Sequence, residues 1–182
     1  MVDFKVYTVL DDGTPVLIRT LQPEDKLSIV EGFERISPHS RYLRYSSAGA
    51  KLTPADLDIL TCTDETKCLS LGASDLNHSE HYGIGLARYI ICKDEPDTAE
   101  IAMVVVDDYQ GRGLGALLLD LLITIARKNG IQSLRAYVLR ENHAMIRLLK
   151  RVNAQFRHLE GGMIQVDIPL VAMQSEKWAV GM

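Results

Sequence analysis

The spacing of hydrophobic positions along this chain changes near Val106. Upstream, short apolar runs are cut by turn residues, as strands require. The first clear strand covers residues 16–21 and is entered by a turn at Asp12-Gly13-Thr14-Pro15. Pro23-Glu24-Asp25 opens a helix through about residue 33, because proline and early acids suit a first turn. The polar, tyrosine-rich stretch 37–47 reads as loop and short helix, and Thr53 is placed to cap a helix beginning at Pro54. Residues 68–75 and 82–92 read as an antiparallel strand pair about a turn at Asn77-His78-Ser79-Glu80. A turn over 93–98 leads to a further strand, 99–106.

Downstream, Leu114, Leu117, Leu118, Leu121, Leu122 and Ile125 fall at helical spacing, and Asn129-Gly130 ends that helix. A strand at 134–139 follows, then a helix from Asn142 to about residue 152. A hairpin of 155–159 with 163–170 turns about Gly161-Gly162. Six or seven strands with four helices, antiparallel early and with one strand–helix–strand unit late, make an α+β layered domain.

The chain has 182 residues, enough for one domain over 1–182, with a core of about 12–170 and a tail over 171–182. A chain of this length buries about 70% of its unfolded surface, so it needs no disulfide or structural metal. Twenty Lys plus Arg against twenty-four Asp plus Glu give a net charge of -4, without the basic excess of a nucleic-acid binder. No apolar run is long enough for a membrane span, and Met1-Val2-Asp3-Phe4-Lys5 lacks the layout of a secretory signal. Cys62, Cys68 and Cys92 are odd in number and lack metal-ligand spacing. They read as buried small hydrophobes in a reducing, cytoplasmic setting.

The candidate chemistry lies where the 99–106 strand meets Gln110-Gly111-Arg112-Gly113-Leu114-Gly115-Ala116 at the start of a helix. Glycines allow a tight turn, and N–H groups at a helix start attract an anion. A P-loop would end in Gly-Lys-Ser/Thr, and a dinucleotide fingerprint would space its glycines as G-x-G-x-x-G. Neither holds here, so the loop suits a pyrophosphate bound in another way.

This loop resembles the Q/R-x-x-G-x-G/A signature of the GNAT superfamily of N-acetyltransferases. The preceding strand from Ala99 to Asp108 is similar to that family's fourth strand, and residues 141–149 are similar to its Asn-containing helix. More narrowly, five segments resemble the bacterial protein lysine acetyltransferases of the Pat type. They are Asp12-Gly13, Ile18-Arg19, Gln22-Pro23-Glu24-Asp25, Ser40-Arg41-Tyr42-Leu43-Arg44-Tyr45 and Gly85-Leu86-Ala87-Arg88-Tyr89. The resemblance implies a GNAT fold: a mostly antiparallel twisted sheet with a late parallel strand pair and flanking helices. It also implies acetyl-CoA as co-substrate and no metal. The amides of Gln110, Gly111, Arg112, Gly113, Leu114, Gly115 and Ala116 would hold the pyrophosphate. The backbone of Val104, Val105 and Val106 would take the pantetheine arm, and Asn142 would contact the cofactor. The local chemistry of Asn142 suits a helix N-cap equally well.

Glu100 matches the position of the family's catalytic glutamate, where a general base would take a proton from an amine. By itself the sequence favours a solvent-facing carboxylate at a strand end; the matched position favours catalysis. On an unbulged strand Glu100, Ala102, Val104 and Val106 share one face, and the resemblance implies a bulge that would alter this. Two positions depart from the family. Leu149 stands where many members have a tyrosine acid, and Asn153 stands where a turn glycine is usual.

Other groups have competing readings. Asp94, Glu95, Asp97, Glu100, Asp107 and Asp108 form either an acidic mouth or a solvated turn. Arg41 and Arg44, with the tyrosines between and beside them, suit a polyanion or a structural loop beside the substrate cleft. His78 and His81 lack a third ligand at clear spacing. The implied acceptor is a protein lysine, possibly on an acyl-CoA synthetase. A small amine and a non-catalytic acyl-CoA-binding sensor are the alternatives, for a monomer or homodimer with no nucleic-acid or membrane partner. Trp178 in the tail would cover an apolar patch or a dimer contact.

Overall fold

The computed structural model describes residues 4–62, 64, 67–78 and 82–170. Ser79, Glu80 and His81, and the tail with Trp178, lie outside them. The elements run β1 (Lys5–Val9), β2 (Pro15–Thr20), α1 (Lys26–Glu34), α2 (Pro38–Tyr45), α3 (Pro54–Leu60), β3 (Cys68–Asp75), β4 (Tyr82–Cys92) and β5 (Glu95–Val105). They continue with α4 (Leu114–Lys128), β6 (Ser133–Leu139), α5 (His143–Leu149), β7 (Gln155–His158) and β8 (Met163–Pro169). No helix of the described residues is long and apolar enough to cross a membrane.

All eight strands join one mixed sheet in the order β1-β2-β3-β4-β5-β6-β8-β7. Only β5 and β6 pair in parallel. The α+β architecture with a late parallel pair is therefore as expected, but the expected six or seven strands become eight. The addition is β1, an edge strand whose Tyr7 and Val9 are exposed, so burial leaves little mark on its sequence. A second correction concerns β5, which begins at Glu95 after a turn of Lys93 and Asp94 and not at Ala99.

The cysteines bring a third correction. Cys62 and Cys68 are joined in a disulfide, while Cys92 is free and partly exposed. The end of α3 and the start of β3 come together and set the two Cα atoms 6.5 Å apart, within bridging range.

Helix α4 sets the position of the glycine loop. Its Leu114, Leu118, Leu119 and Leu122 are fully buried. Gly85 of β4 makes room for them, since a Cβ there would meet Leu114 at 3.1 Å and Leu118 at 3.2 Å. Alternation then turns Leu86, Arg88 and Ile90 toward the other face, the side of α1, α2 and α3. Leu118→Ala is expected to lower the unfolding free energy by about 2–5 kcal/mol in urea denaturation, with an unchanged denaturant slope.

Candidate active site

The sheet opens at β5. This strand pairs with β4 continuously from Ala99 to Val105, and β6 pairs with β8 from Ser133 to Leu139. Yet β5 and β6 pair with each other only over Thr98–Ser133, Ala99–Leu134 and Glu100–Arg135. Beyond Glu100 the two strands part. Val106 N–H donates to Ile84 O at 3.0 Å, so by alternation the N–H and C=O groups of Met103 and Val105 point away from β4 and into the opening. The backbone groups of Val104 and the N–H of Val106 face β4, while Val106 C=O accepts from Tyr109 N–H at 2.9 Å.

The implied bulge does not fall in this part of β5. The irregularities lie between Ala73 and Ser74 opposite β4, where Ile84 is the extra residue, and at Ile91/Cys92, where β5 holds additional residues before Ala99. Glu100, Ala102 and Val104 therefore share the face that carries Arg88 and Ile90. There Arg88, Ile90, Cys92, Glu100 and Ala102 line a cleft of about 420 Å³. Glu100 is exposed, and its carboxylate makes no hydrogen bond or ion pair with a described residue. Burial pushes the neighbouring Cys92 thiol up from its ordinary value, and Arg135 offsets part of that.

A second cleft continues along the same face. Its floor includes Gly72, Leu86 and Val104, and its walls include Phe33, Tyr45 and Leu60. Arg19 and Asp25 in its lining pair through two hydrogen bonds of 2.7 and 2.5 Å. Arg41 points elsewhere, donating to the carbonyls of Ile36, Phe33 and Glu34 at the end of α1. Arg44, one turn later, lines the cleft.

At the other end of β5 the chain passes through a short 3-10 turn into the glycine loop. Gly111 and Gly113 have φ of +73° and +87°, values that other residues rarely adopt. Gly113 is the N-cap of α4 and supplies no side chain, so the N–H groups of Leu114, Gly115 and Ala116 face outward without an intrahelical acceptor. The Leu114 side chain is fully buried. Arg112 is held by Asp12 at 2.8 Å and lies over the Tyr109 ring. Gln110 uses its side-chain amide as a brace, donating to Val105 O at 3.1 Å and to Ser40 Oγ at 3.2 Å.

Asn142 caps α5, its side chain accepting from Met145 N–H at 3.1 Å, and its Nδ2 donates to no described residue. Leu149 is fully buried and holds no proton to give. Asn153 takes the left-handed conformation with φ +51°, so the turn survives the loss of glycine.

The acidic residues are dispersed. Glu95 pairs with Arg135, and Asp107 lies at the far end of β5. The role of Asp107 is one that sequence reasoning missed. Its carboxylate accepts from Ser37 N–H at 2.9 Å, Ser37 Oγ at 2.6 Å and Ser40 Oγ at 2.9 Å. With Gln110 this ties α2 to the glycine loop. The partners lie 67 to 70 residues apart, and no local pattern signals them. His78 stacks on Tyr82 near Asp75, while His81 lies outside the described residues.

Burial pushes the Asp107 carboxyl up, but the hydrogen bonds from Ser37 and Ser40 outweigh it and hold the group below the usual carboxylate range. The resulting stabilisation is complete above the unfolded value of about 3.9 and is lost as pH falls through the lower folded value. Asp107→Asn is therefore expected to destabilise by about 2 kcal/mol at pH 7. That difference narrows below about pH 4, as urea denaturation across pH would show.

The acetyltransferase (GNAT) family model matches residues 55–153, more than half of the chain. Over 136 residues the chain is 36% identical to Acetyltransferase PA5475 of Pseudomonas aeruginosa, covering 75% of this chain and 73% of that protein. It is 38% identical over 87 residues to Acetyltransferase Pat of Mycolicibacterium smegmatis, covering 47% of this chain but only 26% of that protein. The solved GNAT domain of S. lividans PAT superposes with a TM-score of 0.82 at 26% identity, over 91% of this chain and 96% of that one. Family match, relatives and fold agree with the opened sheet and its glycine loop, and the chain belongs to the GNAT family of N-acetyltransferases.

Proposed function

We propose that this chain transfers an acetyl group from acetyl-CoA to the side-chain amine of a protein lysine. The observation that carries this reading is the junction of two features: the parted β5–β6 edge, and a positive-φ glycine loop that ends in an uncapped helix start. Both offer backbone N–H groups in one continuous path. The amides from Gln110 to Ala116 would hold the pyrophosphate, with the helix dipole favouring the anion. Met103 and Val105 would pair with the pantetheine arm, and one of their N–H groups would polarise the thioester carbonyl. Asn142 would use its remaining Nδ2 donor on the same molecule. Acetyl-CoA supplies the acyl group in activated, thioester form.

Glu100 is the general base in this reading. A lysine side chain has an ordinary pKa of about 10.4 and must lose a proton before its lone pair can attack. Glu100 takes that proton, the new C–N bond forms, the C–S bond breaks, and the second proton of the nitrogen is lost to water as CoA leaves as a thiolate. Leu149 leaves the sulfur without the tyrosine acid usual in relatives, and water protonates it. The lysine acceptor is supported by the likeness to Acetyltransferase Pat and to the GNAT domain of S. lividans PAT.

The test is thiol release from acetyl-CoA with an acyl-CoA synthetase, and with a panel of small amines, as acceptors. Glu100→Gln is expected to lower kcat by about 10²- to 10⁴-fold. An equal rate in the variant would remove Glu100 as base. Turnover with small amines alone would move the acceptor to that class, and acetyl-CoA binding with no turnover on any acceptor would favour a sensor. A second variant tests the loop. Gly113→Ala places a residue at φ +87°, with its Cβ 2.7 Å from the Asp11 carboxylate. It is expected to weaken acetyl-CoA binding at least about tenfold by calorimetry.

A further inference from the structure

Two arginines stand near Glu100 on the cleft face, within reach of its field but without a hydrogen bond or ion pair to a described residue. Arg44 on α2 lines the second cleft, and Arg88 on β4 lines the first with Glu100. Both are partly buried. Neither makes a hydrogen bond or ion pair with a described residue, and Arg44 rests only over the Tyr45 ring at 4.7 Å. Arg88 lies directly across from Ala102, which puts it one diagonal step from Glu100 on the same face.

The other charges around the clefts are satisfied locally. Arg19 holds Asp25, Lys26 holds Asp58, and Asp56 is occupied by the N–H and hydroxyl of Thr53. Arg44 and Arg88 are near enough to repel each other, and the carboxylates whose fields reach Arg88 are Glu100 and Asp56. The Glu100 carboxylate acts on Arg44 as well, so the face carries two guanidiniums and two carboxylates with no hydrogen bond or ion pair joining them among the described residues.

Ser70 adds a third observation. It stands across from Arg88 on β3, on the same face, and is only 2% exposed. Its hydroxyl has no hydrogen-bond partner among the described residues. A buried hydroxyl is rarely left unpaired, and this one belongs to the residue directly across the strand from Arg88.

We infer that Arg44 and Arg88 form an anion subsite for the acceptor, which binds a carboxylate carried close to the amine that is acetylated. This rests on the proposed reading of the cleft as the acceptor side. A guanidinium fork matches a carboxylate geometrically and holds it in part-buried surroundings more strongly than a surface pair would. The carboxylate can come from an Asp or Glu side chain next to the target lysine or from a small amino acid. In both cases the chemistry is an amine and an anion carried by one molecule and able to reach the cleft together.

The test uses lysine peptides that differ only in having Glu or Gln beside the lysine, together with free lysine and the uncharged amine butylamine. The Glu peptide is expected to exceed the Gln peptide in kcat/KM by roughly 10- to 100-fold, the range for one charge-assisted contact. Arg88→Gln and Arg44→Gln are each expected to reduce that preference to within about threefold, while Arg88→Lys keeps part of it. Acetyl-CoA affinity, measured beside each variant, reports whether the protein has folded. A preference of free lysine over butylamine without a peptide preference assigns the carboxylate to a small acceptor.

Peptide binding to the CoA-loaded wild type is also measured by calorimetry. Absence of turnover with a retained Glu-over-Gln binding preference then counts against the catalytic reading and supports the subsite. Equal binding and equal kcat/KM for the acidic and neutral members of both pairs would overturn it. So would a preference that survives in both Gln variants.

Discussion

Beyond Glu100 and Arg135, β5 and β6 lose their shared hydrogen bonds, and from there each strand keeps one sheet partner. A backbone amide that faces neither strand nor water is costly, so an opening of this kind inside a sheet must admit something that can pair with it. The strands hold their separation because each is secured on its far side, β5 by β4 through Val105 and β6 by β8 through Leu139. The interior sheet edge at Met103 and Val105 thus exists before any ligand arrives, and the glycine loop continues it.

The two sides of the site are connected by side chains. Gln110 touches both Val105 O, at the opening, and Ser40 Oγ, on α2. Asp107 holds the start of α2 through Ser37 and Ser40. Because α2 also carries Arg44 and Tyr45, the glycine loop and the wall of the neighbouring cleft are braced by one polar cluster. Tyr42 adds a further tie, donating to Glu141 next to Asn142 at 3.4 Å. Displacement of α2 would therefore disturb both halves of the site.

Much of the fold was legible because its strands and helices carry local patterns. The pair 68–75 and 82–92 coincides with β3 and β4, and the leucine spacing after Leu114 coincides with α4. Elements without burial on both sides were less legible, as β1 shows. The common face of Glu100, Ala102 and Val104 follows from period two once the bulge is located, and only the pairing register locates it. Arg41 and Arg44 sit in one motif three residues apart, yet Arg41 closes the end of α1 and Arg44 faces a cleft. No local signal separates them, because the difference lies in what packs opposite. The Cys62–Cys68 bridge escaped for the same reason, since neither residue type nor spacing distinguishes it from two buried thiols.

The chemistry of the two proton transfers explains why Glu100 and Leu149 can coexist in one site. At pH 7 roughly one lysine in 2,500 is uncharged, so an acceptor without a base to help it is nearly always in the wrong form. The leaving sulfur has an ordinary thiol pKa of about 8.5 and departs acceptably as an anion, so a missing acid costs less than a missing base. Arg44 and Arg88 act in the same direction. By pairing with the carboxylate next to the amine they give the acceptor a reason to enter, and they cancel the negative charge that would otherwise hold the proton on that amine. A cleft that attracts the acceptor by its anion and cancels that anion's hold on the proton assists the deprotonation that attack requires.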